Sequence, residues 1–362
     1  MQTAERVHGG DRLRAAERLG INPEDLLDFS SSINPFGPPE EAVRAMLEAS
    51  MDIRSYPDQW ADRFVRALAE YHSVPAECLM AANGSIELIH LLSVAFKPRT
   101  VALVAPDFCE YELAFRGQGA YVSFIDLKRD DGFELDFNDP RLRGAEFLIL
   151  SNPNNPTGLL FDREALLELA VARRNEGKIT VVDEAFSDFA PSASLIGKIE
   201  PGLIVLRSMT KFYALAGLRL GYLIADPEHI KALRRFHWPW SANALAIAAG
   251  VEALRDSDFR RRSLEAVAKL RKDLFNSLSA FSWLKPYPSV ANYLLVEMLG
   301  GLRSTDLAWA LAKSGILVRD CSSFRGLDDR FIRVAVRTAD ENSRLLKALK
   351  VRDRLFIKCD NG

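Results

Sequence analysis

From Glu77 onward, short apolar or β-branched runs alternate with stretches of helical periodicity. Leu79–Ala82 precedes a helix predicted from Ile86, and Val101–Ala105 precedes one near Glu110–Gln118. Glu146–Ser151 leads to a helix from Arg163 to about Glu176, followed by Ile179–Val182 and Leu203–Arg207. Two runs, Phe147-Leu148-Ile149-Leu150 and Ile179-Thr180-Val181-Val182, are continuously apolar or β-branched. Such strands are covered on both faces, as in a mostly parallel sheet flanked by helices. The pattern predicts an α/β fold. Beyond Pro239 the texture changes. Helices are predicted over Asn243–Arg255, Arg260–Leu278, Thr305–Ser314 and Ala339–Leu349, with strands at Asn292–Val296, Ile316–Arg319 and Phe331–Val336. The expected division is a large domain over 46–240 and a smaller α+β domain over 241–362. Residues 1–45 would form a segment packing with the small domain or across the cleft.

Composition excludes partners without naming an activity. The 362 residues carry 47 basic and 49 acidic side chains, a formal net charge of −2. Nucleic-acid-binding chains usually show a basic excess or stripe, so no such partner is expected. No apolar run approaches the roughly 18 residues that cross a bilayer, and no membrane partner is expected. The start, MQTAERVHGG, is too polar and too mixed in charge for a signal peptide. Cys78, Cys109, Cys321 and Cys359 are scattered, with no CxxC pair and no His at ligand spacing. They read as reduced thiols in a cytoplasmic protein, and no metal is expected.

In an open α/β sheet, ligands bind beyond the carboxyl ends of the strands. The informative residues fall there. Lys211, in Ser208-Met209-Thr210-Lys211 with Arg219 further on, has two readings. It is a solvated surface amine, or, flanked by hydroxyls and backed by an arginine, a Schiff-base amine beside a bound phosphate. Asp183 ends an apolar strand, where an unpaired carboxylate is costly. It is a turn or capping residue, or the partner of a buried cation such as a protonated pyridine nitrogen. Asn83-Gly84-Ser85 opens a helix whose free N–H groups favour an anion, and an ordinary N-cap would use the same residues. Asn154-Asn155-Pro156-Thr157-Gly158 is equally compatible with a plain turn.

Taken together and in order, NGSIE, PDFCEY, SNPNNPTG, DEAF and SMTKFYALAGLRLGY resemble the fold type I pyridoxal-phosphate (PLP) enzymes of the aminotransferase class I/II family, over almost the whole chain. The resemblance implies a PLP cofactor in the large domain. It implies Lys211 as the Schiff-base lysine and proton carrier at the substrate α-carbon. Asp183 would keep the ring nitrogen protonated, Asn155 would donate to the phenolic oxygen, and Phe108 would stack on the ring. Gly84, Ser85, the Ile86 N–H, Ser208 and Arg219 would hold the phosphate. Tyr56 matches a tyrosine that reaches the phosphate in the other subunit, implying a homodimer with shared active sites; read alone, it is a turn aromatic before Pro57.

Within that family, His8-Gly9-Gly10 and the run DFSSSINPFG from Asp28 are similar to the threonine-phosphate decarboxylases of cobalamin synthesis. Histidinol-phosphate aminotransferases are near relatives that usually lack the HGG element. Phe186 stands where many relatives have Tyr, and Trp238–Ala244, Ile316–Cys321 and Gly326–Arg337 continue the likeness to the decarboxylases. The resemblance assigns Arg319 mainly to a substrate phosphate and Arg333 mainly to the α-carboxylate, since the planar guanidinium fork suits both anions. Arg337 is a third anion contact or a surface residue, and His8 and Asn34 are further substrate candidates. The implied reaction converts L-threonine O-3-phosphate to (R)-1-amino-2-propanol O-2-phosphate. The alternatives are a histidinol-phosphate-type aminotransferase using 2-oxoglutarate and a non-catalytic PLP-fold regulatory or binding module.

Overall fold

The computed structural model describes residues 8–197 and 200–356; Cys359 lies outside them. The strands in chain order are β1 (Leu27–Phe29), β2 (Leu79–Ala82), β3 (Thr100–Ala105), β4 (Tyr121–Asp126), β5 (Phe147–Ser151), β6 (Ile179–Asp183), β7 (Leu203–Ser208), β8 (Gly221–Ile224), β9 (Leu284–Pro286), β10 (Tyr293–Met298), β11 (Ile316–Asp320) and β12 (Phe331–Ala335). They form a seven-stranded sheet of order β2-β8-β7-β6-β5-β3-β4 and a five-stranded sheet of order β1-β11-β12-β10-β9. In the larger sheet β8 runs antiparallel to both its neighbours, and every other pairing is parallel.

The continuous apolar runs occupy the middle of that sheet. Every residue of β5 and β7 is buried, as expected of strands covered by helices on both faces. The helices Ser85–Phe96, Cys109–Gly117 and Arg163–Asn175 lie beside it. Several helix starts are set by caps. Asn243 is itself the cap, accepting from the Ala246 N–H at 2.8 Å, so the helix begins at Ala244. Asp256 accepts from the Phe259 N–H at 2.7 Å and starts the next helix at Ser257, before the Arg260 that periodicity suggested. The last helix runs on from Ala339 to Phe356.

Four strands escaped the sequence pattern. β1 and β9 are only three residues long, β4 carries an edge-like mixture of exposed and buried positions, and β8 is a glycine-led tetrapeptide. Among the described residues no helix is long and apolar enough to cross a membrane.

Of these, β8 does most to shape the ends of the parallel strands. Because it runs backwards, its first residue, Gly221, pairs with both Ala82 and Ser208. The turn after β2 and the end of β7 are thereby brought together. A Cβ at Gly221 would lie 2.4 Å from the Ser85 backbone N and 3.1 Å from the Arg207 carbonyl oxygen. Backbone atoms cannot swing away as a side-chain tip can. Gly221→Ala is therefore expected to cost about 1–3 kcal/mol of stability, in the range of overpacking changes. Urea unfolding of the two proteins checks this.

Candidate active site

A cavity of about 990 Å³ opens beyond the carboxyl ends of the parallel strands and takes its walls from both sheets. His8, Ser85, Ile86, Phe108, Asn155, Asp183, Ser208, Lys211, Arg219, Arg319 and Arg333 all line it.

One end is built for an anion. Gly84 has a φ of 80°, and a Cβ there would meet the Arg219 Nη2 at 2.7 Å, so glycine lets the turn and the guanidinium share this space. The helix Ser85–Phe96 starts at once, offering its unpaired N–H groups and positive dipole end. Ser208 joins them, its Oγ 2.8 Å from the Thr210 Oγ1.

Next to this lies Asp183. Its Oδ2 accepts from the Tyr111 hydroxyl at 2.7 Å and its Oδ1 from the Ala185 N–H at 2.9 Å. Among the described residues no basic side chain pairs with it. Burial pushes its carboxyl above the usual range, against the two hydrogen bonds and the positive charges of Lys211 and Arg207. A buried carboxylate without a cation partner fits a protonated ring nitrogen.

Lys211 completes this side. Its Nζ lies 5.8 Å from the centroid of the Phe186 ring and makes no hydrogen bond to a described residue. Burial, then the charges of Arg333 and Arg219, lower its pKa to about 8, with Asp183 and Asp28 opposing. An amine so depressed is unprotonated often enough near neutrality to attack a carbonyl. Phe186 has no hydroxyl to offer, and its ring packs edge-on against Tyr293 at 4.9 Å.

The opposite wall comes from the smaller sheet. Arg319 and Arg333 are direct partners across the antiparallel β11–β12 pair. Like charges in that relation repel, unless an anion lies between them. Arg333 Nη1 donates to the Asn155 Oδ1 at 2.5 Å and Nη2 to the Ser30 carbonyl at 3.1 Å, while its Nε is buried without a partner. Arg319 donates to the Ser323 Oγ at 3.0 Å and lies over the Phe324 ring at 5.1 Å. His8 closes the rim. Its Nε2 is 2.9 Å from the Glu110 Oε1 and its ring 5.5 Å from that of Phe108. The donor atoms of His8, Cys109 and Glu110 lie within 4.8 Å of one another, a grouping that sequence spacing concealed.

Three expected site residues lie elsewhere. Asn34 does not line the cavity. Its Nδ2 donates to the Phe212 carbonyl at 2.8 Å and the Ser263 Oγ at 3.0 Å, and its backbone N–H donates to the Lys211 carbonyl at 3.0 Å. It clamps the lysine loop from behind, which corrects the reading of Asn34 as a substrate contact. Arg337 is also corrected: it pairs with Glu341 at 2.7 Å, one helical turn away, and is absent from the cavity lining. Tyr56 is 81% exposed and stacks on Trp240 at 4.8 Å, outside this chain's own cavity. Conversely, Asp107, Tyr111 and Ser151 line the cavity and were not anticipated. A signal was present, since Asp107 precedes Phe108 at a strand end and Tyr111 comes one helical turn later.

A phosphate cradle, an unpaired buried carboxylate and a depressed lysine in one cavity define a coenzyme-dependent enzyme site for amino-acid chemistry. The chain belongs to the aminotransferase class I and II family, whose profile matches residues 24–349. This is a PLP-dependent family, and the cradle, the carboxylate and the lysine fit that coenzyme. The chain is 39% identical over 352 residues to a threonine-phosphate decarboxylase of Salmonella typhimurium, covering 95% of this chain and 96% of that one. It is 31% identical to an adenosylcobalamin biosynthesis bifunctional protein of Leptospira interrogans, over 94% of this chain and 40% of that one. The crystal structure of a histidinol-phosphate aminotransferase from Clostridium acetobutylicum superposes with a TM-score of 0.86 at 30% identity, covering 91% of this chain and 99% of that one.

The depressed lysine has a stability consequence whose sign is fixed. Folded Lys211 titrates at about 8 against 10.5 for a free side chain, so between these values the unfolded chain binds more protons. The penalty is full below pH 8 and is relieved as pH rises toward 10.5. Coenzyme-free protein should therefore gain stability across this window, and Lys211→Met should lose that gain. Urea midpoints of both proteins from pH 7 to 10.5 provide the check.

Proposed function

We propose that this chain is a PLP-dependent decarboxylase of L-threonine O-3-phosphate, a carbon–carbon lyase yielding CO₂ and (R)-1-amino-2-propanol O-2-phosphate for cobalamin biosynthesis. The observation that carries the substrate class is the cross-strand pair Arg319–Arg333, which asks for a ligand with two anionic ends. The choice of decarboxylation rests on the 39% identity to the Salmonella enzyme and on Phe186 in place of a tyrosine.

When bound, PLP supplies an electron sink for the pair released at the substrate α-carbon. In this reading Gly84, Ser85, Ile86, Ser208 and Arg219 hold its phosphate and Lys211 its carbonyl carbon. Asp183 keeps the ring nitrogen protonated, Asn155 meets the phenolic oxygen and Phe108 covers the ring. Arg319 takes the substrate phosphate and Arg333 the α-carboxylate. Together they would hold the two anionic ends of the substrate and so orient its α-carbon toward Lys211, the orientation deciding whether CO₂ or a proton is lost. Binding energy from the remote phosphate enforces the orientation. Lys211, which lines the cavity beside this carbon's position, would then deliver a proton to the α-carbon.

The same reading has the cofactor in a large domain over 46–240, a small domain over 241–362, and residues 1–45 as an N-terminal segment packing with the small domain, which the β1–β11 pairing supports. Exposed Met51, Ile53, Tyr56 and Trp238 support a homodimer in which Tyr56 serves the other subunit's site. Free thiols at Cys78 and Cys321 support a cytoplasmic setting. A second reading, a histidinol-phosphate-type aminotransferase, draws on the 0.86 TM-score to such an enzyme.

Incubation with O-phosphothreonine, with and without 2-oxoglutarate, separates the two. CO₂ should appear regardless of the keto acid; glutamate without CO₂ would overturn the decarboxylase. Lys211→Ala should lose the visible absorbance of bound coenzyme. Arg319→Ala and Arg333→Ala should each raise KM at least about tenfold, the scale of one lost charged hydrogen bond. Arg337→Ala should stay within about twofold, since its guanidinium is committed to Glu341.

A further inference from the structure

Asp107 grips two loops at once. Its Oδ1 accepts from the Phe108 N–H at 2.7 Å and from the Ser151 hydroxyl at 2.6 Å. Its Oδ2 accepts from the Ser151 N–H at 2.8 Å. The Ser151 hydroxyl gives its proton to Asp107, so its oxygen is left to accept, and the Asn155 N–H donates to it at 3.0 Å. Asn155 in turn receives Arg333 through its side-chain oxygen. One carboxylate at the end of β3 is therefore tied to the ring-covering Phe108, to Asn155 and, through Asn155, to an arginine of the other sheet.

We propose that Asp107 is a positioning residue of this site, setting Phe108 directly and Asn155 through the Ser151 hydroxyl. The link is directional. An amide at position 107 would put a donor against one of three donors, so asparagine cannot replace the carboxylate without turning a contact repulsive. The geometry also explains why the loop of Asn154–Gly158 holds Asn155 toward the cavity, since its backbone is anchored on Ser151. Burial pushes the Asp107 carboxyl up to about 8, reinforced by the charge of Asp183 and opposed by its three donors. Losing any donor would push it higher still.

The inference rests on PLP occupying this cavity but not on the reaction being CO₂ loss. Asp107→Ala, Ser151→Ala and the double variant are titrated with PLP as coenzyme-free proteins, and the visible absorbance of each loaded protein is followed against pH. Asp107→Ala should weaken PLP binding by about tenfold or more and move the midpoint of the absorbance titration by at least about half a pH unit. Ser151→Ala should change both in the same direction. The double variant should be no weaker than Asp107→Ala beyond about twofold, because the hold of Asp107 on Asn155 runs through the Ser151 hydroxyl. An Asp107→Ala protein with PLP affinity within twofold and a superimposable titration would overturn the proposal. If Asp107→Ala does not fold, Ser151→Ala decides alone, and unchanged affinity and titration there overturn it equally. Wild-type protein that binds PLP but forms glutamate removes only the decarboxylase reading; failure to bind PLP removes both.

Discussion

Charge kept out of water is the constraint on which this site depends. Lys211, Asp183, Asp107, Arg319 and Arg333 share one cavity, and most are shifted from their usual titration ranges by burial. Each such group costs stability unless a partner offsets it. Where a coenzyme and substrate would meet them stand a carboxylate and an amine without an ionic or hydrogen-bonded counter-charge among the described residues, and two arginines side by side across a strand pair. In the proposed reading an anionic, ring-nitrogen-bearing coenzyme and a doubly anionic substrate would supply the counter-charges.

The fold makes that concentration of charge possible by geometry. Parallel β5 and β6 end level, with Ser151 and Asp183 as register partners, and β7 runs two residues further to Ser208. The reversed β8 then folds the Gly84 turn and Arg219 back onto the end of β7. A sheet of purely parallel strands would carry β8's first residue to the far edge and leave the phosphate cradle without its arginine. The smaller sheet adds the anion-binding wall. Its β1 is an N-terminal strand paired in parallel with β11, which keeps Ser30 beside Arg333 and Asn34 against the lysine loop.

Asn34 and Arg337 show how residues of suitable chemistry are diverted. Asn34 commits its amide donors to Phe212 and Ser263, so it supports Lys211 from outside the cavity. Arg337 begins the turn into the last helix, where Thr338 and Glu341 form a capping arrangement and Glu341 takes its guanidinium. The Arg337 diversion is local, a pair four residues apart at a helix start, whereas that of Asn34 depends on partners 178 and 229 residues away.

Much of the larger sheet was legible because β5, β6 and β7 are uniformly apolar and their ends carry residues that punctuate strands. The motifs at those ends needed no tertiary information to be found, since each is local: a glycine turn before a helix, an aspartate closing a strand, a lysine after hydroxyls. The short strands β1, β8 and β9 were not legible, because three or four residues carry too little periodicity to distinguish strand from loop. The amino-acid order by itself determined the family, the coenzyme and the positions that could bear charge at strand ends. Only the tertiary structure decided that Arg319 faces Arg333, that Asp107 reaches Ser151 and that Asn34 turns away. Those outcomes depend on strand register and on loops meeting across a cleft, and no local run of residues encodes either.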